Sequence, residues 1–451
     1  MLRALAPKPN VIILHADQLR AQALGYSGEV NARTPRIDKL ASESTIFTNA
    51  VTCCPLCSPA RASLLTGQYP LTHRVIVNDV HLGTGARSIA HAFKDAGYDT
   101  AYIGKWHLDG SGSRSAFIPV GRRQEFDAWS VLECTHDYFH SKYFGNDDLL
   151  HIWKGYDAFA QSKAARDYIS ERSRDSRPFF LVVSWGPPHD PYNAVPWRYR
   201  RRFPPRRLDL RPNVPAESRN RARKDLSGYY AHVSALDDCC GMVFDAIKEA
   251  NIENETIVVF TSDHGDMLGS HGLRGKQCPW DESIRIPLLI KHPGLHDSKK
   301  GAIGYPINIP DIMPTILSLC GLPVPDTVEG RDCSGLIAGS EEPSDAAALF
   351  ACYSPICNWH ALGKEYRGIR TSRYTFVRSL TAPWLLYDNI TDPFQLDNLV
   401  GNSSFSTVQD RLEAMLTVKL RETGDEFLPG EQYLARFGYQ AGPDGAVCYK
   451  N

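Results

Sequence analysis

Four short, largely apolar runs set the frame of the chain: Val11–Leu14, Thr100–Ile103, Phe179–Val183 and Ile257–Phe260. A run that is apolar on both faces reads as a central strand of a parallel sheet, covered on two sides. Helical patterns lie between the runs, at Ile89–Ala96 and Leu226–Glu249 for example. This alternation predicts an α/β fold, a doubly wound sheet with covering helices. Every run ends in a polar cluster: Asp17-Gln18, Gly104-Lys105-Trp106-His107, Pro187-Pro188-His189 and Asp263-His264-Gly265. Ligands of such sheets bind beyond the carboxyl ends of the strands. The four clusters therefore mark one candidate active site. Further along, alternation over Arg373–Val377 predicts a strand, and Val408–Leu420 reads as a helix that packs nearby. The acidic, Pro-containing stretch Glu341–Asp345 predicts a boundary, giving domains at 1–345 and 346–451.

Composition narrows the class. The chain has 451 residues, enough for one large α/β domain and a smaller one. Net charge is −1 and apolar content 43%, an ordinary globular balance with no overall pull toward nucleic acid. No apolar run approaches a transmembrane span, so no membrane partner is expected. Met1–Pro9 lacks the apolar segment of a signal peptide, which fits a cytoplasmic protein or a mature form whose leader has been removed. The twelve cysteines include the adjacent pairs Cys53-Cys54 and Cys239-Cys240 and lack the spacing of a small disulfide scaffold. Sequons at Asn254, Asn389 and Asn402 matter only in a eukaryotic secretory setting.

The densest chemistry begins at Cys57. Ser58 predicts an N-cap, Pro59 suits the first turn and Gly67 a stop, so Cys57 is placed just ahead of a short helix. A helix N-terminus favours negative charge, and Arg61 lies one turn in. A nucleophile, an anion-friendly helix end and a cation together suit attack on an anionic ester. Cys54-Pro55-Leu56-Cys57 is also a CxxC, but no second CxxC exists for zinc and the chain far exceeds a thioredoxin-like unit. Asp17, Gln18, Asp263 and His264 offer mainly oxygen ligands, which suits calcium or magnesium, and the imidazole admits manganese.

Cys57-x-Pro59-x-Arg61 followed by Leu65-Thr66-Gly67 resembles the signature of the type I, formylglycine-dependent sulfatases of the alkaline phosphatase superfamily. Ala60 departs from the commonest form, which has Ser there. The resemblance implies that a maturation enzyme oxidises Cys57 to formylglycine, whose hydrate is the nucleophile. It also implies one divalent ion, usually calcium, held by Asp17, Gln18, Asp263 and His264 and touching residue 57. Gln18 replaces a widespread Asp and removes one ligand charge. Lys105-Trp106-His107 is similar to the family's Lys-x-His element: Lys105 would bind sulfate, and His107 would deprotonate the second hydroxyl to expel it. By the same resemblance His189 binds sulfate and helps protonate the leaving oxygen, and Lys276 is the later sulfate-binding lysine. Phosphonate monoester hydrolases share the Asp-Gln start and the Cys-x-x-x-Arg helix but lack Lys-x-His, so hydrolysis of a phosphonate monoester or phosphodiester on the same scaffold stands as the alternative. A non-enzymatic binder of sulfated ligands, with Cys57 unmodified, is a third reading.

The resemblance covers Pro9–Gly294 and resumes at Tyr366–Leu399. It implies a large mixed, mostly parallel sheet sandwiched by helices, with a smaller C-terminal antiparallel sheet plus helix. The implied activity is hydrolysis of a sulfate monoester, on a carbohydrate or another small alcohol or phenol. Asn78, Asp79, His81 and Trp106 are the candidates for the substrate pocket, with His136, Asp137 and Tyr138 as further ones. Arg198–Lys224 is dense in arginine; a solvated loop is the plain reading, and a grip on a polyanionic sulfated glycan the sharper one.

Overall fold

The structure is a computed structural model that describes residues 8–83, 85–110, 114–294, 301–341, 346–355, 363–440 and 447. Most of the expected boundary stretch, residues 342–345, and most of the segment read for a leader, residues 1–7, lie outside the described residues.

Ten strands build the main sheet: β1 (Asn10–Asp17), β2 (Thr45–Phe47), β3 (Asp99–Lys105), β4 (Ala128–Leu132), β5 (Lys142–Phe144), β6 (Leu150–Ile152), β7 (Phe179–Pro188), β8 (Thr256–Ser262), β9 (Leu288–Lys291) and β10 (Gly301–Ile303). Their order is β10-β2-β9-β8-β1-β7-β3-β4-β5-β6. The five central strands, β8-β1-β7-β3-β4, run parallel. Antiparallel pairing begins only outside them, at β8–β9 and β4–β5. The four apolar runs are thus four neighbouring strands of a mixed, mostly parallel sheet. All eight residues of β1 are buried. Val11 and Ile13 enter one core and Ile12 and Leu14 the other, as the two-residue period of a strand requires. Each such side chain contributes about 1.5–3 kcal/mol on burial, so the sheet centre is a stiff platform.

One irregularity matters for the site. Pairing of β1 with β7 steps from His15↔Ser184 to Asp17↔Pro188. Extra residues in β7 form a bulge, which brings Asp17 level with Pro188 and hence beside His189.

A second sheet, β11 (Ala348–Cys352), β12 (Tyr366–Arg370), β13 (Tyr374–Ser379) and β14 (Pro383–Asp388), is antiparallel throughout. The helix Ser406–Glu422 covers one face, with Leu412 and Leu416 against Leu349, Ile369 and Phe376. The other face sets Phe350, Tyr366 and Val377 against Met267, Cys278 and Trp280 of the main body. The helix Arg219–Glu249 starts earlier than the apolar pattern predicts, because its first turns are polar and exposed. Among the described residues, no helix is long and apolar enough to cross a membrane.

Candidate active site

The Cys57 helix spans Cys57–Thr66 and stops at Gly67, whose φ of 65° is left-handed and whose N–H donates to Ser63 O at 2.9 Å. Ser58 is not its cap, contrary to expectation. Cys57 is itself the first helical residue, after Leu56, and the Ser58 hydroxyl is buried without a partner. The capping oxygen comes from elsewhere: Ser58 N–H donates to Asn78 Oδ1 at 3.0 Å. All ten residues of the helix are buried. Its N-terminus is therefore a fixed part of the core, aimed at the strand ends.

Around Cys57 the buried charges interlock. Lys276 Nζ lies 2.9 Å from Cys57 Sγ, His264 Nε2 3.3 Å and Asp17 Oδ1 3.7 Å. Burial opposes a thiolate, but Lys105, Lys276 and His264 outweigh it and hold the Cys57 thiol well below its ordinary range. Cys54 behaves oppositely: burial, with no compensating cation cluster, pushes its thiol well up. Both are free thiols, so the CxxC is not a disulfide. Arg61 faces away from the cavity. Its guanidinium reaches Asp17 Oδ2 at 2.9 Å and Asp263 Oδ2 at 3.2 Å, and donates to Lys105 O and Ser184 Oγ. Lys105 Nζ donates to Asp17 Oδ2 at 2.7 Å. Against burial and the Cys57 sulfur, Lys105, His189 and Arg61 keep the Asp17 carboxyl well below its usual value. Burial and the Asp17 charge push Asp263 the other way.

Three further side chains stand round this centre. His189 Nδ1 pairs with Asp190 O at 2.9 Å, its Nε2 lies 3.0 Å from Lys276 Nζ, and its ring stacks on His136 at 4.5 Å. His107 Nε2 is held by Asp79 Oδ1 at 2.9 Å, while Nδ1 makes no hydrogen bond of good geometry among the described residues and is left toward Cys57. Burial disfavours a proton on His107, but the Cys134 sulfur and the Asp79 carboxylate raise it to about 9. Arg114 grips the same carboxylate, Nε at 3.0 Å and Nη2 at 2.5 Å. The loop that carries Lys276 is tied to the second sheet: Gln277 Nε2 donates to Ser354 O, Trp280 Nε1 to Tyr387 Oη, and Arg370 pairs with Asp281.

Of these groups, Cys57, Lys105, His107, Arg114, His189 and Lys276 line a cavity of about 370 Å³, which also exposes Gln18, Asn78, Cys134 and His136. Several pocket candidates lie elsewhere. Trp106 is fully buried in an aromatic cluster with Tyr102, Phe126 and Trp129, because its side chain alternates away from those of Lys105 and His107. Asp79 stands behind His107, off the cavity wall, and His81 is half-buried away from it. Asp137 is exposed and pairs with His140; Tyr138 is buried beneath the His189 loop, its hydroxyl on His189 O. The sequence reading missed Cys134, Asp190, Tyr192, Arg114 and Arg274, which also line the cavity. Asp190 and Tyr192 directly follow His189, and Arg274 precedes Lys276 by two residues, so a wider window on those motifs reaches three of the five.

The donor set fits a divalent cation. Ligand atoms of Asp17, Cys57, Asp263 and His264 all lie within 4.8 Å of one another. Asp263 Oδ2 lies 3.2 Å from the Arg61 guanidinium but has no hydrogen-bond partner among the described residues. His264 Nδ1–H donates to Gly265 O at 2.9 Å, which leaves Nε2 as the ligating atom. Gln18 donates its backbone N–H to Asp263 and its side-chain NH₂ to Asp266, so the carbonyl is the atom left as ligand.

A family profile described as Sulfatase matches residues 9–322, and one described as N-sulphoglucosamine sulphohydrolase, C-terminal, matches residues 269–422. An ulvan-active sulfatase of Formosa agariphila is 43% identical over 438 residues, 96% of this chain and 85% of that protein. An endo-4-O-sulfatase of Bacteroides thetaiotaomicron is 30% identical over 93% of each chain. A solved structure from work on the metabolism of multiple glycosaminoglycans by Bacteroides thetaiotaomicron has a TM-score of 0.84 at 29% identity, covering 95% of this chain and 99% of that one. The chain belongs to the sulfatase family, the sulfuric ester hydrolases of the alkaline phosphatase superfamily.

Proposed function

We propose that the chain hydrolyses sulfate monoesters of a carbohydrate, with formylglycine made from Cys57 and one divalent cation, calcium first. The observation that carries this reading is the meeting of Cys57, Asp17, Asp263 and His264 at one buried point, flanked by Lys105 and Lys276. Formylglycine supplies a hydrated-aldehyde hydroxyl as nucleophile, and the cation a fixed positive charge beside it. Asp17, Asp263, His264 and the Gln18 carbonyl would hold that cation.

The residues divide the remaining work. Charge gathers on the sulfuryl oxygens in the transition state, and the ammonium groups of Lys105 and Lys276 oppose it from the cavity wall. His189 donates Nδ1–H to the Asp190 carbonyl, so Nε2 accepts from Lys276; this pair holds the proton that the departing alcohol needs. With Nε2 of His107 held by Asp79, Nδ1 is left to take a proton from residue 57, the step that frees sulfate. Arg61 is a positioning residue: it fixes both aspartates from behind. The C-terminal unit, residues 346–451, serves the site by holding the Lys276 loop. The carbohydrate assignment draws on the two curated relatives, one named for ulvan and one an endo-4-O-sulfatase.

Peptide mass spectrometry across residue 57, with the protein made alongside a formylglycine-generating enzyme, is expected to find the aldehyde. Cys57→Ala is expected to lose at least about 10⁴-fold in aryl sulfate turnover. Retained turnover in that variant overturns the nucleophile. A second-order rate constant higher on aryl phosphonate monoesters than on aryl sulfates overturns the substrate class. A panel of sulfated oligosaccharides, ulvan fragments included, tests the carbohydrate.

A further inference from the structure

Outside the catalytic cavity, the most unusual stretch is the short helix Trp197–Arg200 and the loop after it. Residues 198–207 carry six arginines and no acid, in a chain whose net charge is −1. Arg200, Arg201, Arg202, Arg206 and Arg207 are exposed, and none has an ion-pair partner among the described residues. A loop that needs only solvation does not require so many like charges, which repel one another. These are also not loosely hung. Tyr199 and Phe203 are buried beneath them; Arg198 and Arg202 lie over the Tyr199 ring at 4.9 and 5.0 Å, and Arg33 lies over Phe203 at 5.4 Å. Trp197 stands 71% exposed at the edge of the cluster.

The first turns of the helix Arg219–Glu249 connect this cluster to the catalytic cavity. Ser227 Oγ donates to Phe203 O at 2.6 Å. Gly228 lies against the backbone of Tyr192, a cavity residue; a Cβ there would stand 1.9 Å from Tyr192 O. Asp225 pairs with Arg274, another cavity residue, at 2.9 Å and with Arg221 at 3.8 Å. Arg274 and Arg221 together line a second hollow of about 130 Å³. From Arg221 to Gly228 the helix rises about 10 Å. Within that distance it touches the cavity wall, the hollow and the arginine cluster.

We propose that this surface, from Arg274 and Arg221 to Arg200–Arg207 with Trp197, binds the chain of a sulfated polysaccharide whose target unit sits in the catalytic cavity. The proposal rests on the sulfated-carbohydrate reading above and deepens it. Guanidinium forks match sulfate and carboxylate oxygens in pairs. An exposed indole offers a flat apolar face to the C–H face of a sugar ring. A regular polyanion delivers charges at intervals along such a track, and each neutralised charge releases counterions, so binding must weaken steeply with salt.

The test uses the whole protein and immobilised dextran sulfate, with neutral dextran as control. Wild type is expected to be retained at low ionic strength and released by salt. Reversal of Arg200, Arg201 and Arg202 to Glu is expected to weaken retention about tenfold or more and to flatten the salt dependence. Aryl sulfate turnover, measured in the same preparation, is expected to stay at the wild-type rate, which also certifies the fold. Arg206→Glu with Arg207→Glu, and Trp197→Ala, provide independent second variants. Equal retention of all three variants and wild type overturns the proposal, as does tighter retention on single-stranded DNA than on dextran sulfate at equal salt. Retention is read without turnover. Failure of the carbohydrate reading itself would instead appear as no sulfate released by wild type from any sulfated oligosaccharide.

Discussion

The floor of the catalytic cavity and its rim are built on opposite electrostatic principles. On the floor, Asp17, Arg61, Lys105, Asp263 and His264 are buried; Asp17, Arg61, Asp263 and His264 each meet two or more of the others, and Lys105 pairs with Asp17. On the rim, Arg114 and Arg274 keep side chains 45% and 39% exposed and pair with Asp79 and Asp225. A buried charge without its partner costs several kcal/mol, whereas an exposed pair is screened by water and contributes about 0–1. The floor is therefore a single interlocked unit, and the chemistry proposed above draws on it as one. The rim arginines reach solvent instead, although Arg114 is joined to His107 through Asp79.

The hardest blow to this contrast is aimed at Arg61. Arg61→Leu leaves two buried carboxylates facing each other and is expected to cost about 3–5 kcal/mol in urea unfolding. Arg61→Lys recovers only part, because one ammonium cannot span Asp17, Asp263, the Lys105 carbonyl and Ser184. A loss under about 1 kcal/mol for the leucine variant would mean that the floor is not interlocked.

Asp79→Asn sharpens the same contrast through pH. Burial resists a proton on His107, yet its neighbours, Asp79 among them, raise it to about 9. A group raised on folding stabilises fully below its unfolded value, about 6.5, and that stabilisation fades as pH climbs through the folded value. Native His107 is thus expected to contribute about 3 kcal/mol at pH 6 and little above pH 10. The asparagine variant should lose part of this slope, the Cys134 contribution remaining, seen as urea midpoints that fall less between those two pH values. Its kcat profile should also move its acid limb to lower pH, since His107 sheds its proton sooner. An unchanged limb would exclude His107 as the base.

Calcium tests the floor from the ligand side. At 100 times its dissociation constant a single ion stabilises by about 2.7 kcal/mol, so chelation should lower the melting temperature of wild type and re-addition restore it. Asp263→Asn should melt alike with and without calcium, because the variant lacks one of the two carboxylates proposed to hold the ion.

Much of the floor was legible because sequence and geometry coincide at strand ends. Asp17 and Lys105 are the last residues of β1 and β3; His189 and Asp263 directly follow β7 and β8. An apolar run buried on both faces announces its own end. Trp106 was misplaced although the same two-residue period, carried one step past Lys105, turns it toward the core. Cys134 follows β4, whose alternating burial hides it among half-exposed segments, whereas His136, two residues on, is a named pocket candidate and does line the cavity. The role of the second sheet had no local signal at all: Gln277 meets Ser354 and Asp281 meets Arg370 across 77 and 89 residues. Asp79 and Arg114 are legible as charges but not as a pair, because the loops that join them have no period.

Arg274→Ala is the smallest expected effect and the one that most directly separates rim from floor. Its guanidinium shares Asp225 with Arg221, and both arginines reach solvent. The Asp225 side chain is 17% exposed and keeps Arg221, so losing one of its two half-solvated cations should change stability by less than about 1 kcal/mol. Aryl sulfate places nothing beyond the sulfuryl group and a ring, so its kcat should hold. A sulfated oligosaccharide that extends over the rim should instead show a raised KM at nearly constant kcat, the mark of binding energy used equally in ground and transition states. If kcat on aryl sulfate falls together with that on the oligosaccharide, Arg274 touches the reacting sulfate and belongs to the floor. If stability drops by several kcal/mol, the rim is as interlocked as the floor and the division between them fails.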